Sequence, residues 1–210
     1  KYPNLSAGYV GFALFLQKPV VGERKRAAAL LLKANQINPD LPLVKNQLGN
    51  YLAEEGRPIE ALNYYLAAVK LAPKEPLYHY QIGLLVTEAR DDFLKGGEWT
   101  RATLDKTMQD AFEQAMVLSP GNIPYAYRYC ESFYELEIPE WEEALTNWRA
   151  LEGKVATVLE KQTIRLHEAN ILIKQGKSAE ARALLLTVGQ AALQTQKQKQ
   201  VAELDAAAKT

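Results

Sequence analysis

The sequence predicts an all-α fold, a solenoid of about five antiparallel helix pairs whose third pair is elongated. Two recurring spacings predict it. An alanine stands five residues ahead of a proline at Ala34 and Pro39, Ala68 and Pro73, and Ala115 and Pro120, and the first two copies lie 34 residues apart. A glycine stands five residues ahead of an alanine at Gly22 and Ala27, Gly56 and Ala61, Gly97 and Ala102, and Gly176 and Ala181, and Pro139 keeps that distance from Ala144. A fixed period of roughly 20 to 50 residues is the mark of stacked repeats. Glycine ends one helix in the left-handed conformation and the short run to alanine opens the next, so each unit reads helix, tight turn, helix.

The elements follow in chain order. Leu5 to Gln17 and Glu23 to Gln36 make the first pair, with Pro19 forcing a longer turn between them. The second pair, Pro42 to Glu75, places Leu48, Gly49, Leu52, Ala61, Tyr65, Ala68 and Pro73 at helical spacing. The third repeats Ile82-Gly83, Phe112, Ala115 and Pro120, but Pro120 follows Pro73 by 47 residues. Gly83 to Gly97 spans 14 residues where Gly49 to Gly56 spans seven, and Ala102 to Ala115 spans 13 where Ala61 to Ala68 spans seven. Each arm has grown by about two turns at ~3.6 residues per turn. A hairpin of Leu77 to Lys95 and Glu98 to Leu118 is expected, protruding beyond its neighbours at Gly96-Gly97. Ala126, Cys130 and Phe133, then Ala144, Trp148 and Leu151, make a fourth pair with Cys130 at the small-residue place. Ala169, Leu172, Ala181, Leu185 and Val188 make a fifth, whose first helix starts as early as Lys154. The repeat domain is assigned residues 1–193. Residues 194–210, rich in glutamine and lysine, read as a polar capping helix or tail.

Composition narrows the function classes. Lysine plus arginine and aspartate plus glutamate number 25 each, so no net field favours nucleic acid or anionic lipid. The single cysteine excludes an internal disulfide framework and a zinc site of paired thiolates. No apolar run approaches the ~20 residues of a membrane-spanning helix, so no membrane insertion is expected. The chain begins at Lys1 rather than methionine, from which removal of an upstream segment is expected. The compartment stays open between cytoplasmic and exported. There is no phosphate loop, no recognisable serine or cysteine nucleophile setting and no histidine pair at metal spacing, so neither enzyme activity nor a cofactor is expected. Adjacent acids such as Asp91-Asp92 and Glu142-Glu143 diverge by about 100° on a helix and do not form a two-carboxylate site. His79 and His167 read as helix-surface residues and Cys130 as a buried, inert thiol.

In the second pair Leu48-Gly49, Ala61, Tyr65, Ala68 and Pro73 resemble the signature of the tetratricopeptide repeat, with Lys45 where that family often has tryptophan. Small residues there let paired helices approach closely while large ones fill the space between pairs. The resemblance covers roughly residues 4 to 190. It implies a right-handed superhelix whose first helices line a concave groove for a protein or peptide partner. Register places Asn46, Gln47, Asn50 and Glu54 of the second pair on that groove, with Tyr80, Gln81, Leu84 and Glu88 of the third. Tyr127, Arg128, Glu131 and Tyr134 of the fourth and His167 and Asn170 of the fifth follow. Asparagine and glutamine offer donor and acceptor together and suit a peptide backbone, while tyrosine adds apolar area at small entropic cost. Some family members clamp a C-terminal carboxylate with lysines and asparagines. Asn50 fits that pattern, but Asn46 and Tyr80 stand where it needs lysine, so such a clamp is not expected. The reading is a non-enzymatic interaction scaffold; the alternative is an architectural or oligomerisation segment of a larger protein. Trp99 and Trp141, both preceded by glutamate, are expected to pack hairpin against hairpin.

Overall fold

The computed structural model describes residues 3–208. All of its regular structure is helical: α1 Pro3–Leu16, α2 Arg24–Ile37, α3 Pro42–Glu54, α4 Pro58–Leu71, α5 Pro76–Glu88, α6 Arg90–Lys95, α7 Arg101–Leu118, α8 Ile123–Ser132, α9 Trp141–Glu152, α10 Val158–Lys174, α11 Ser178–Leu186 and α12 Gln194–Ala207. Two short 3-10 turns, Phe133–Glu135 and Ala191–Leu193, complete the regular structure of the described residues. The chain divides into two compact units, one ending at Ser119 and the other starting at Pro120.

In the first unit the recurring alanine and proline perform the same task three times. α2, α4 and α7 each stop when the next residue, Asn38, Ala72 or Ser119, leaves helical geometry. Its N–H still donates to the carbonyl of Ala34, Ala68 or Ala115, at 2.9, 2.9 and 3.2 Å. Proline follows one residue later and, lacking an N–H, cannot extend the helix. All three alanines are fully buried, which brings each helix close to its neighbours.

The glycines divide between two roles. Gly22, Gly56, Gly97 and Gly176 hold φ of 65, 72, 75 and 72°, the left-handed region that disfavours other residues, and each stands in the turn between two helices. Gly49 and Gly83 instead permit contact. A Cβ on Gly49 would lie 2.5 Å from the Tyr65 ring, and one on Gly83 would lie 2.6 Å from Phe112. α3 packs on α4, and α5 on α7, through these ring-over-glycine seats. Around them α1, α2 and α3 share a core of Ala13, Leu16, Ala27, Leu31, Ala34, Val44 and Leu48.

The third pair departs from the expected straight hairpin. α5 ends after 13 residues, as α3 does; Ala89 then breaks the helix at φ −106°, ψ 21°, and the extra residues form the separate helix α6. Thr87 Oγ1 donates to the Gly83 carbonyl at 3.0 Å, a back-bond that bends helices. The break turns Phe93 fully into the interior, where its ring meets Trp99 edge-on at 5.7 Å. α6 packs against α4 as well as α5, and Gly96 approaches Ile59, so this extension folds back onto the preceding pair. Arg90 and Arg101 both bind Asp105 of α7, at 3.5 and 2.8 Å. Ala102, matched in sequence to the buried Ala61, is exposed, because the inserted turns move the helix crossing onward to Met108 and Phe112.

The second unit pairs α8 with α9 and α10 with α11. Cys130 is buried at the small-residue place, and burial pushes its thiol up to about 12. α10 starts at Val158 and not at Lys154, because Thr157 and Glu160 form a reciprocal capping box there. Residues 194–207 form α12, which packs on α10 and α11 by burying Gln200 and Leu204. Gln200 Nε2 donates to the Leu166 carbonyl at 3.0 Å, and Arg182 pairs with Asp205 at 2.6 Å.

Candidate functional site

The first unit carries an open trough along α3 and α5. A cleft of about 280 Å³ is lined by Asn50, Ala53, Glu54, Tyr65, Gln81, Leu84, Leu85 and Glu88. A second, of about 190 Å³, is lined by Gln17, Arg24, Gln47, Asn50, Tyr51 and Glu54. Asn50 and Glu54 belong to both, so the two hollows adjoin on α3. Gln47, Asn50 and Glu54 fall on one side of α3 because residues three and four apart share a helix face, and Gln81, Leu84 and Glu88 repeat that pattern on α5. Tyr65 Oη donates to Asn50 Oδ1 at 2.8 Å. Burial, and then the nearby carboxylates of Glu54 and Glu88, hold the Tyr65 hydroxyl well above its ordinary range, so it remains a neutral donor. Arg24 Nη1 meets Glu54 at 2.7 Å across the trough wall.

Two expected groove residues of this unit line neither hollow. Asn46 is fully buried, and neither atom of its amide has a hydrogen-bond partner. Register alone put it beside Asn50, but packing encloses its side chain, while Leu43 and Lys45 on the same turn keep contact with solvent. Tyr80 is half-buried and turns its ring onto Phe112 at 5.6 Å.

In the second unit four expected residues come together, bound chiefly to one another. Tyr127 Oη and His167 Nε2 share a hydrogen bond of 2.7 Å, and Tyr134 Oη donates to the His167 carbonyl at 3.1 Å. Asn170 hydrogen-bonds the Tyr134 side chain. The His167 ring lies flat on Trp148 at 4.2 Å with 4° between planes, and Tyr127 meets Trp148 edge-on at 5.0 Å. Burial holds the imidazole down to about 4 and the Tyr127 hydroxyl up to about 12, so both are neutral near pH 7. His167 is therefore packed into this cluster while keeping part of its surface exposed. Arg128 is tied to Glu135 at 2.8 Å, and Glu131 is half-buried, its carboxyl raised chiefly by that burial. Trp141 packs against Tyr134 at 5.7 Å under the Lys174 ammonium at 5.4 Å. His79, in the first unit, bonds the Pro73 carbonyl at 2.9 Å.

Among the described residues no group of three or more His, Cys, Asp or Glu could hold a metal ion, and no helix is long and apolar enough to cross a membrane. No family model matches the chain, and no curated protein matches it in sequence. Solved structures do match. YrrB, described as a TPR protein with an unusual peptide-binding site, aligns with a TM-score of 0.67 at 15% identity over 96% of this chain and 91% of its own. TTC0263, a thermophilic TPR protein of Thermus thermophilus, aligns at 0.53 and 16% identity over 95% and 98%. The fold is that of the tetratricopeptide repeat. MamA of Desulfovibrio magneticus RS-1 also aligns, at 0.64 and 14% identity over 87% of this chain and 92% of its own.

Within the tetratricopeptide-repeat fold, the trough of the first unit is floored by residues that register did not single out. Ala53 and Leu85 lie between the expected polar positions, and Arg24 and Gln17 reach in from the neighbouring pair. Arg24 carried no signal in sequence, because its ion pair with Glu54 spans 30 residues.

Proposed function

We propose that this chain is a protein-interaction scaffold that holds an extended peptide segment in the trough of its first unit. The observation that carries this reading is the convergence of Gln47, Asn50, Gln81 and Leu84, from two successive first helices, on adjoining open clefts. Amide side chains satisfy a peptide's N–H and C=O groups without demanding a sequence, and Leu84 with Leu85 offers an apolar seat for a side chain. Gln47, Asn50, Gln81 and Leu84 are the binding residues; Tyr65 positions Asn50. Tyr127, Tyr134, His167 and Asn170, all half-buried, brace the second unit, since their polar atoms serve one another. Selection of displayed random peptides against the chain tests the reading. Selected peptides are expected to lose binding on Leu84→Arg, which fills the cleft, and to keep it on Leu159→Arg, an exposed site on the other unit. Failure to select any peptide, or equal loss in both variants, overturns it.

A second reading, docking of an end helix on another domain or a second copy, is favoured by α1. That helix has no charged residue between Pro3 and Leu16, and it exposes Leu5, Phe12 and Phe15 at nearly half of their surfaces. Sedimentation of Phe12→Glu against the unaltered chain tests this reading. A mass that is the same in both, and monomeric, sinks it.

A further inference from the structure

We infer that the cleft between α3 and α5 selects a cationic side chain, an arginine or lysine of the bound peptide segment. The inference rests on the trough being the peptide site and adds the chemistry of what enters it.

The cleft holds two carboxylates and a matching positive group for only one of them. Glu54 and Glu88 are the last residues of α3 and α5, so both carboxylates stand where each helix ends. A helix C-terminus carries a partial negative charge from its unpaired carbonyls, and a basic residue in the last turn ordinarily offsets it. Neither α3 nor α5 has a basic residue in its last turn. Glu54 is met by Arg24 at 2.7 Å, whereas Glu88 has no ion pair among the described residues. Arg57, a few residues past α3, is held by both oxygens of Glu60 at 2.7 and 2.6 Å. One cation thus faces two carboxylates and two helix ends.

The remaining polar atoms of the cleft point to the same ligand. Tyr65 spends its proton on Asn50, which leaves its oxygen as an acceptor. The Gln81 side chain lines the cleft and offers a further carbonyl oxygen beside its NH2 group. An ammonium or guanidinium carries donors only and matches the carboxylate, carbonyl and hydroxyl oxygens of the cleft, and its alkyl stem suits the floor of Ala53, Leu84 and Leu85. A volume of about 280 Å³ admits one such side chain. A carboxylate would meet repulsion from both glutamates.

Two capped five-residue peptides, Gly-Ser-Arg-Ser-Gly and its citrulline counterpart, separate charge from shape, because citrulline keeps the size of arginine and loses its charge. Each is titrated into the 15N-labelled full chain at low and at physiological salt. The arginine peptide is expected to shift the amides of Asn50, Glu54, Gln81 and Glu88, to weaken with salt, and to bind more tightly than the citrulline peptide. Glu88→Gln is expected to weaken it about threefold, as loss of one exposed charge pair does, and Glu88→Lys to abolish it. Glu88 is exposed, so both variants are expected to melt as the parent does. Equal binding of the two peptides at these amides overturns the inference and leaves the trough as a peptide site. An arginine peptide whose shifts fall elsewhere, or that Glu88→Lys does not weaken, overturns it too. Absence of any peptide effect on these amides, with the selection described above also empty, removes the peptide site itself.

Discussion

Gly49 and Glu168 show how single residues hold the two units. The seat of Tyr65 on Gly49 leaves 2.5 Å for a Cβ, so Gly49→Ala is expected to cost about 1 to 3 kcal/mol through overpacking. Gly11, in α1, has nothing within 4 Å of its would-be Cβ, so Gly11→Ala is expected to stabilise by about 0.5 to 1 kcal/mol through helix propensity. Urea unfolding of both variants reads the difference in sign. Glu168 is buried in α10, where burial first and then the Glu152 charge raise its carboxyl to about 7, despite Arg149 at 3.8 Å and Arg165 nearby. The folded chain therefore keeps a proton between about pH 4.5 and 7 that the unfolded chain releases, and stability falls as pH rises through that window. His167 works in the opposite sense. Its imidazole is held down to about 4, so the unfolded chain takes up a proton first, and stability falls as pH drops from about 6.5 towards 4. Glu168→Gln removes the first effect alone. It is expected to melt with the parent near pH 5 and to be about 2 kcal/mol more stable at pH 8, as read by circular dichroism.

At the scale of elements, α6 is the part that sequence spacing described least well. Gly83 to Gly97 correctly signals added residues, but spacing cannot say whether they lengthen a helix or start another. Phe93 decides it, since a straight continuation of α5 would not bring its ring to Trp99. Phe93→Ala is expected to cost about 3 kcal/mol and to strip hydrogen-exchange protection from residues 90–95 before the rest of the unit. Protection retained there would show that α6 holds by its Arg90 and Asp105 contacts instead. The turns were more legible. All four left-handed glycines stand five residues before an alanine, because glycine best tolerates that backbone, although Gly8 and Gly121 share the spacing without the conformation. Two helix ends were nearly as plain, α7 stopping at Leu118 as its spacing implies and α2 at Ile37, one residue past Gln36. The site was legible only in part. Gln47, Asn50, Gln81 and Leu84 line the trough as their register implies, whereas Asn46 is enclosed and His167, half-buried, is stacked on Trp148. Register assigns a helix face; how far the adjoining helices cover it depends on side chains a whole repeat away, such as Trp148 under His167.

Across the whole molecule the charges balance at 25 of each sign, so the exposed α1 face is not shielded by long-range repulsion at neutral pH. Light scattering is expected to give a lower second virial coefficient at pH 7 than at pH 5, where protonating surface carboxylates leaves the chain cationic. A value insensitive to pH would place self-association outside electrostatic control. The lone cysteine gives the chain a built-in reporter. Since Cys130 is enclosed and its thiol stays protonated, an alkylating reagent reaches it only when α8 and its neighbours part. The rate at which the protein consumes such a reagent therefore measures breathing of the second unit without any added label, and a ligand that quiets that unit can be scored by whether the rate slows.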